Sequence, residues 1–196
     1  FVIAKKNRRC YDNIVLSMIT NIREGLHMVP LHVFLVGMAG SGKTTLGKKL
    51  AVNLNVPFVD TDERVSAMMN MPVEQIYATL GDAFFHNAET GVLMELIDEV
   101  PSIVSTGSGL PMMKENVQLM QNHGIVIHVD RPLDQILADA RTEGRQGGQA
   151  PDHEEIIQEY NQRIGFYRAC ADHTFVNDHG FLVGAQGITT LVSGLF

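Results

Sequence analysis

From Leu31 onward, short apolar runs rich in β-branched residues alternate with longer amphipathic stretches. This alternation is typical of parallel βαβ units, in which each strand is followed by a helix that packs on the sheet. The predicted strands are Leu31–Val36, Pro57–Val59, Ser102–Thr106, Ile125–Val129 and His173–Val176. The predicted helices are Lys43–Asn53, Thr61–Met69, Val73–Leu80, Ala83–Val100, Met112–Asn122, Leu133–Arg141, His153–Ala171 and Ala185–Leu195. The pattern predicts an α/β fold.

Composition narrows the class of protein further. The chain has 196 residues, which suits one domain, and its 45% hydrophobic and 19% charged residues argue against intrinsic disorder. No apolar run approaches the roughly 20 residues of a membrane span. The net charge is −7, and residues 30–196 alone carry −10, which argues against a nucleic-acid-binding surface. Cys10 and Cys170 lack metal-ligand spacing and fit a reducing cytoplasm.

Residues 1–29 differ from the rest of the chain. They carry a net charge of +3, include the short apolar run Ile14–Ile19, and end just after Met28, which precedes the first predicted strand. We interpret them as an N-terminal extension outside the fold, formed by sequence upstream of a start at Met28 or foreign to the protein. A transit peptide and a genuine N-terminal helix are the alternatives. The predicted domain then spans residues 30–196.

The strongest motif is a phosphate-binding loop. The segment Gly37-Met38-Ala39-Gly40-Ser41-Gly42-Lys43-Thr44 fits G-x-x-x-x-G-K-[ST] between a predicted strand and a predicted helix. Glycines let main-chain N–H groups surround phosphate oxygens, the lysine reaches the β- and γ-phosphates, and the threonine hydroxyl suits Mg²⁺. A dinucleotide site would require the order G-x-G-x-x-G, which is absent at this position. We therefore expect ATP, with GTP as the alternative, together with Mg²⁺.

Two carboxylates follow the second predicted strand. The second predicted strand leads into Asp60-Thr61-Asp62. This position places both carboxylates at the carboxyl edge of the predicted sheet, where open α/β folds bind their ligands. One would serve Mg²⁺, and the other would accept a proton or hydrogen bond from an acceptor hydroxyl. The alternative is that Asp60 or Thr61 caps the helix that begins there, a role compatible with function.

With these motifs in place, the chain resembles the shikimate kinases. The matching pieces, in the family's order between Val33 and Val176, are GMAGSGKTTLGKKLA, DTDERV, IYATLGDAFFHNAE, STGSG, RTEGR and RIGFYRACAD. The resemblance implies a three-layer P-loop kinase fold, with a five-stranded parallel sheet of order 2-3-1-4-5 flanked by helices. A lid would close over ATP, and the Gly-, Gln- and Pro-rich segment 142–152 is the predicted lid.

The resemblance assigns the nucleotide side of the site. The residues that would bind the phosphates of ATP are Gly40, Ser41, Gly42, Lys43, Thr44 and Thr45. Thr44 and Asp60 would serve Mg²⁺. In the lid, Arg145 would stabilise charge on the transferring group, and Arg141 would lie near the adenine.

The resemblance also assigns the acceptor side. Asp62 would contact the substrate hydroxyls and act as the base. Arg163 would bind the substrate carboxylate, a task suited to a planar guanidinium, although it could instead pair with Glu159 on its own helix. The residues that would line the rest of the acceptor site are His86, Gly107, Ser108 and Gly109.

Three features of the chain depart from the family pattern. The family's substrate turn reads Gly-Gly-Gly, whereas Ser108 is the middle residue here. The lid arginine is normally followed by Pro-Leu-Leu, whereas Arg145 is followed by Gln146-Gly147-Gly148, which predicts a looser lid. His86 stands where the family has a first carboxylate-binding arginine.

These observations predict a cytoplasmic, monomeric, ATP-dependent kinase that phosphorylates shikimate to shikimate 3-phosphate. His86 and Ser108 favour, as the alternative, a kinase of the same fold that acts on another hydroxylated acid or sugar. A second alternative is a nucleotide-binding regulatory protein without turnover. The presence of Asp60, Asp62, Arg145 and Arg163 together argues against it, since a pure binder needs no acceptor-side base.

Overall fold

The computed structural model describes residues 29–145 and 152–196, with the backbone alone for residues 141–145. Its strands are β1 (His32–Val36), β2 (Phe58–Asp60), β3 (Ile103–Ser105), β4 (Gly124–Asp130) and β5 (His173–Val176). They form one parallel sheet in the order β2-β3-β1-β4-β5. The predicted α/β class and the strand order 2-3-1-4-5 are confirmed.

Helices cover both faces of the sheet. They are α1 (Lys43–Leu54), α2 (Thr61–Met69), α3 (Val73–Leu80), α4 (Asp82–Leu96), α5 (Lys114–His123), α6 (Leu133–Arg145), α7 (His153–Cys170) and α8 (Phe181–Ser193). A short 3₁₀ helix, Leu110–Met112, follows β3. Among the described helices, none combines the length and the apolar character that crossing a bilayer requires.

The central strand β1 supplies both halves of the core. All five of its residues are buried, as is typical of a parallel strand covered on both faces. Phe34 and Val36 pack with side chains of α2 to α7, whereas Val33 and Leu35 pack with α1 and α8. The sheet is therefore the middle of three layers, and its central strand leads directly into the phosphate loop.

The predicted N-terminal boundary needs one correction. Val29, which we placed in the extension, is buried and packs in the cluster that contains Leu50 and Val192. The burial of Val29 means that the folded region includes at least this residue. Residues 1–28 lie outside the described part of the chain.

Three helix ends differ from prediction by four residues. Helix α6 continues to Arg145 rather than Arg141, α4 stops at Leu96 rather than Val100, and α8 begins at Phe181 rather than Ala185. The predicted lid thus overlaps the end of α6. Its last residue, Asp152, caps α7 by accepting a hydrogen bond from the main-chain N–H of Glu154 at 3.0 Å. The rest of the predicted lid, residues 146–151, lies outside the described residues.

Candidate active site

The phosphate loop connects β1 to α1 at the carboxyl edge of the sheet. Gly42 has a φ of +97°, in the left-handed region that favours glycine. A Cβ at this position would lie 2.7 Å from Nδ2 of Asn177, so a side chain is excluded by contact as well as by conformation. The conformation and the packing of the loop therefore both favour glycine at position 42, the residue that the motif specifies there.

Lys43 is buried beside the loop that it follows. Its Nζ donates to the main-chain oxygens of Gly37 and Met38, each at 2.9 Å. Burial lowers the pKa of this ammonium to about 8, while the carboxylates of Asp62 and Asp60 act in the opposite direction. The loop thus holds a cation close to the atoms that would receive a phosphate.

Two residues that the sequence analysis missed hold the loop from neighbouring strands. Arg131, directly after β4, donates from Nη1 to the carbonyl of Gly40 at 3.0 Å and pairs with Asp139 at 2.7 Å. Asn177, directly after β5, donates from Nδ2 to the carbonyl of Ser41 at 2.9 Å. A polar residue immediately after a parallel strand was the available signal, since all these strand ends meet at one edge.

Asp60 joins the phosphate loop to helix α2. Its Oδ2 accepts a hydrogen bond of 2.7 Å from the hydroxyl of Thr44, which also lies 3.1 Å from Oγ of Ser105. Its Oδ1 accepts from the main-chain N–H groups of Asp62 at 3.1 Å and Glu63 at 3.4 Å. Asp60 is thus both a member of the candidate metal site and the N-cap of α2, as the two interpretations of the sequence allowed.

Asp62 shares a buried contact with Glu89, a residue that the sequence analysis did not select. A Cβ on Gly107 would lie 2.0 Å from Glu89 Oε1 and 2.4 Å from Asp62 Oδ1, so the two carboxyl groups converge over this glycine. Burial and the charge of Asp62 raise the pKa of Glu89, and burial followed by Asp60 raises the pKa of Asp62. The raised pKa of Glu89 favours the neutral form of this carboxyl group beside Asp62.

His86 reaches Glu89 from one turn earlier on α4. Its Nδ1 lies 3.0 Å from Glu89 Oε2, and the Glu89 side chain is only 1% exposed. The His86 ring also packs against Gly109, where a Cβ would lie 2.4 Å from Cε1. The i, i+3 spacing of His86 and Glu89 on a predicted helix was the signal that could have identified Glu89.

The turn Gly107-Ser108-Gly109 follows β3 and is held from several elements. Gly107 N–H donates to Thr61 Oγ1 at 2.9 Å. Arg163 Nη1 donates to Ser108 Oγ at 3.0 Å, and the Tyr167 hydroxyl donates to the Ser108 carbonyl at 2.8 Å. A Cβ on either flanking glycine would have to displace a side chain, Glu89 and Asp62 at Gly107 or His86 at Gly109, whereas Ser108 faces α7.

Arg163 also forms the ion pair considered in the sequence analysis. Its Nη1 lies 2.5 Å from Glu159 Oε1, and its side chain is 23% exposed. The ion pair and the contact with Ser108 coexist, so the pairing does not remove Arg163 from the site.

The structure brings most of the predicted site residues to one edge of the sheet. Those found there are Gly40, Ser41, Gly42, Lys43, Thr44, Asp60, Asp62, His86, Gly107, Ser108, Gly109 and Arg163. Thr45 is exposed on the first turn of α1. Arg141 and Arg145 belong to α6, and their side chains lie outside the described part of the structure.

Comparison with known proteins identifies one family. The family model "Shikimate kinase" matches residues 39–182. A shikimate kinase of Clostridium beijerinckii is 32% identical over 153 residues, which cover 74% of this chain and 85% of the relative. A shikimate kinase of Psychrobacter cryohalolentis is 34% identical over 151 residues, with 76% and 81% of the two chains covered.

Solved structures agree with this family in fold. A shikimate kinase from Acinetobacter baumannii, determined in complex with shikimate, superposes with a TM-score of 0.75 at 28% identity. The match covers 84% of this chain and 94% of the neighbour. The likeness therefore extends over the sheet and the helices that carry the candidate site.

Proposed function

The chain belongs to the shikimate kinase family of phosphotransferases that act on a hydroxyl group, and we propose that it transfers the γ-phosphoryl group of ATP to the 3-hydroxyl of shikimate. The observation that carries this proposal is the double role of Asp60. One of its oxygens bonds Thr44 of the phosphate loop, and the other bonds the main chain of Asp62. The same side chain therefore sets the distance between a phosphate site and a candidate acceptor carboxylate.

The phosphate loop fits a nucleotide triphosphate. The Ser41 hydroxyl oxygen is buried and, in the described part of the chain, has no protein partner, which suits a group that bonds a phosphate oxygen. Residues 40–45 would bind the phosphates, and Lys43 would stabilise negative charge as it develops. Arg145 would add a second cation, and Arg141 would lie near the adenine.

Thr44 and Asp60 fit Mg²⁺ by their chemistry. A hydroxyl and a carboxylate oxygen are hard donors, and no cluster of three or more His, Cys, Asp or Glu side chains able to hold a metal occurs among the described residues. Such a sparse donor set matches a cation that retains waters and phosphate oxygens as its other ligands. When bound, Mg²⁺ would neutralise phosphate charge.

On the acceptor side, Asp62 would orient the hydroxyl of shikimate and accept its proton. Glu89 would hold Asp62 by a hydrogen bond between their buried carboxyl groups. Arg163 would bind the substrate carboxylate at the opposite side of the turn, with His86 and residues 107–109 completing the wall. These residues would act mainly by positioning the acceptor for in-line transfer.

A kinase for another hydroxylated acid or sugar is the second candidate. His86 and Ser108 favour it, since both change groups that would contact the acceptor. We propose a monomeric protein of the cytoplasm in either case, a location consistent with the use of ATP.

Coupled ATP turnover tests these candidates directly. Shikimate should be phosphorylated with a kcat/KM at least tenfold above that for gluconate, quinate or nucleoside monophosphates. A preference for another acceptor would establish the second candidate. Nucleotide binding without transfer to any acceptor would instead indicate a regulatory protein.

A further inference from the structure

Ser108 lies half-buried in the middle of the turn after β3, where two side chains of α7 hold it. Arg163 Nη1 donates to its hydroxyl oxygen at 3.0 Å, and the Tyr167 hydroxyl donates to its carbonyl at 2.8 Å. Arg163 and Tyr167 are four residues apart and so share one face of α7. The turn and the helix therefore present a hydroxyl and a guanidinium side by side.

The direction of the hydrogen bond leaves a donor available. A guanidinium can only donate, so its bond to Ser108 uses a lone pair of Oγ and leaves the hydroxyl proton for another acceptor. The two N–H groups of Arg163 Nη1 face Ser108 Oγ at 3.0 Å and Glu159, so a carboxylate would bind the guanidinium through Nη2 or Nε, or by displacing Glu159. A carboxylate has two acceptor oxygens and pairs well with two adjacent donors.

We propose that the Ser108 hydroxyl donates to one oxygen of the acceptor's carboxylate while Arg163 donates to the other, which makes Ser108 a specificity-determining residue. This inference rests on the proposed function, in which the acceptor carries a carboxylate. It assigns the second half of the carboxylate site to a neutral side chain, at a place where the described residues supply one guanidinium, that of Arg163.

The charges around Arg163 explain why a hydroxyl matters here. Glu159 pairs with Nη1 at 2.5 Å and offsets the charge of the guanidinium. A substrate carboxylate must compete with this protein carboxylate, so Arg163 alone is a weaker ligand than an unpaired arginine. Ser108 adds a donor that does not depend on the charge of Arg163.

His86 is placed differently from Ser108. It lies against Gly109, and its Nδ1 is 3.0 Å from Glu89. Lys43 donates to carbonyl groups of the phosphate loop. In the described part of the site, Ser108 is thus the side chain that accepts from Arg163 and still has a hydroxyl proton to donate.

The test compares shikimate with its methyl ester, which keeps the ring and the three hydroxyl groups but caps the carboxylate. In Ser108→Ala, the dissociation constant and KM for shikimate should rise about tenfold, as expected for loss of a hydrogen bond to a charged group. The dissociation constant for the ester should change less than twofold. The kcat for shikimate and the KM for ATP should stay within twofold of wild type.

Two further variants separate direct contact from a structural role. Ser108→Thr keeps a hydroxyl. It should therefore remove at least half of the increase in the logarithm of the dissociation constant for shikimate that Ser108→Ala causes. Ser66→Ala is the matched control, since it removes another half-buried serine hydroxyl, which donates to the carbonyl of Met71 at 2.8 Å. It should leave both ligands unaffected.

An effect transmitted only through Arg163 is tested in an Arg163→Met background. There, Ser108→Ala should still raise the KM for shikimate at least threefold, whereas no further change would overturn direct donation. Equal losses for shikimate and its ester, or none, would also overturn it. If wild type does not phosphorylate shikimate, the proposed function fails; if wild type does and Ser108→Ala matches it, this inference alone fails.

Discussion

The side-chain amide of Asn177 donates a 2.9 Å hydrogen bond to the main-chain carbonyl of Ser41, a residue 136 positions earlier in the chain. Asn177 is 9% exposed, and its Nδ2 occupies the space next to Gly42 that a Cβ would need. The loop after β5 thus fixes the course of the phosphate loop. The position of the phosphate loop depends on the last strand as well as the first.

Asn177→Ala should weaken nucleotide binding without unfolding the protein. Loss of a buried hydrogen bond costs about 1 kcal/mol and frees the Ser41 carbonyl, so the dissociation constant for ADP should rise about fivefold. Calorimetric titration measures this. Asn53→Ala is the control, since Asn53 bonds Thr189 on the exposed surface at 3.0 Å. Equal ADP affinity in wild type and Asn177→Ala would show that the bond does not shape the loop.

Lys43→Met should reduce kcat at least 100-fold, because the buried ammonium would stabilise charge on the transferring phosphoryl group. Steady-state assays measure the loss, and circular dichroism checks the fold, since Gly37 and Met38 lose their donor. Lys48→Met, five residues later on α1, alters an exposed lysine that pairs with Glu63 and should retain activity. A kcat within about tenfold of wild type, or 1.4 kcal/mol of barrier, would contradict this role for Lys43.

Glu89→Gln should flatten the dependence of stability on pH. Burial raises the pKa of Glu89, so the folded protein holds a proton that the unfolded chain releases above about pH 4.5. Each pH unit over which this difference persists lowers the free energy of unfolding by about 1.4 kcal/mol. The stability that Glu89 contributes is therefore fully present at low pH and declines as pH rises.

Urea unfolding between pH 5 and pH 8 measures this effect. The wild-type free energy of unfolding should fall more steeply with pH than that of Glu89→Gln, and the two curves should separate toward pH 8. Glu95→Gln changes an exposed residue of the same helix and should follow wild type. Parallel curves for wild type and Glu89→Gln would show that Glu89 is ionised in the folded protein.

His86→Arg should tighten shikimate binding at pH 8. An arginine is charged at every working pH, and a charge-assisted hydrogen bond to the carboxylate contributes about 1.5–3 kcal/mol, or at least tenfold in the dissociation constant. Calorimetric titration with nucleotide present measures it. His123→Arg adds the same charge just before β4, at the other edge of the sheet, and should have no effect. An unchanged affinity in His86→Arg would mean that residue 86 does not face the carboxylate.

The sequence predicted the sheet well because the central strands β1 and β4 are short runs of mostly apolar residues. The predicted bounds of α2, α3 and β5 match the structure. The start of α8 was wrong for a physical reason. Phe181, Leu182 and Val183 are 47%, 78% and 57% exposed, so their apolar character does not mark the buried face, which begins at Gly184 and Ala185.

The site was predictable where a motif links residue type to spacing, as in the phosphate loop and the two aspartates. Glu89, Tyr167 and Asn177 were missed because their roles depend on contacts between distant segments. In the sequence, Glu89 has the context of an ordinary polar helix residue. Only the fold places its carboxyl group next to that of Asp62. Tyr167 and Asn177 donate to main-chain carbonyls, so the identity of the residue that they contact leaves no trace in the sequence, and the position of Asn177 directly after β5 was the one signal available.

The crowding around the substrate turn limits how the turn can vary. At Gly107 and Gly109 an added methyl group would meet Glu89, Asp62 or His86 within 2.4 Å, whereas residue 108 already carries a side chain. If the enzyme were selected for activity on a new acceptor, substitutions at residue 108 would therefore arise before substitutions at residues 107 and 109. A mutant library randomised at all three positions should yield active clones that differ almost entirely at the middle residue.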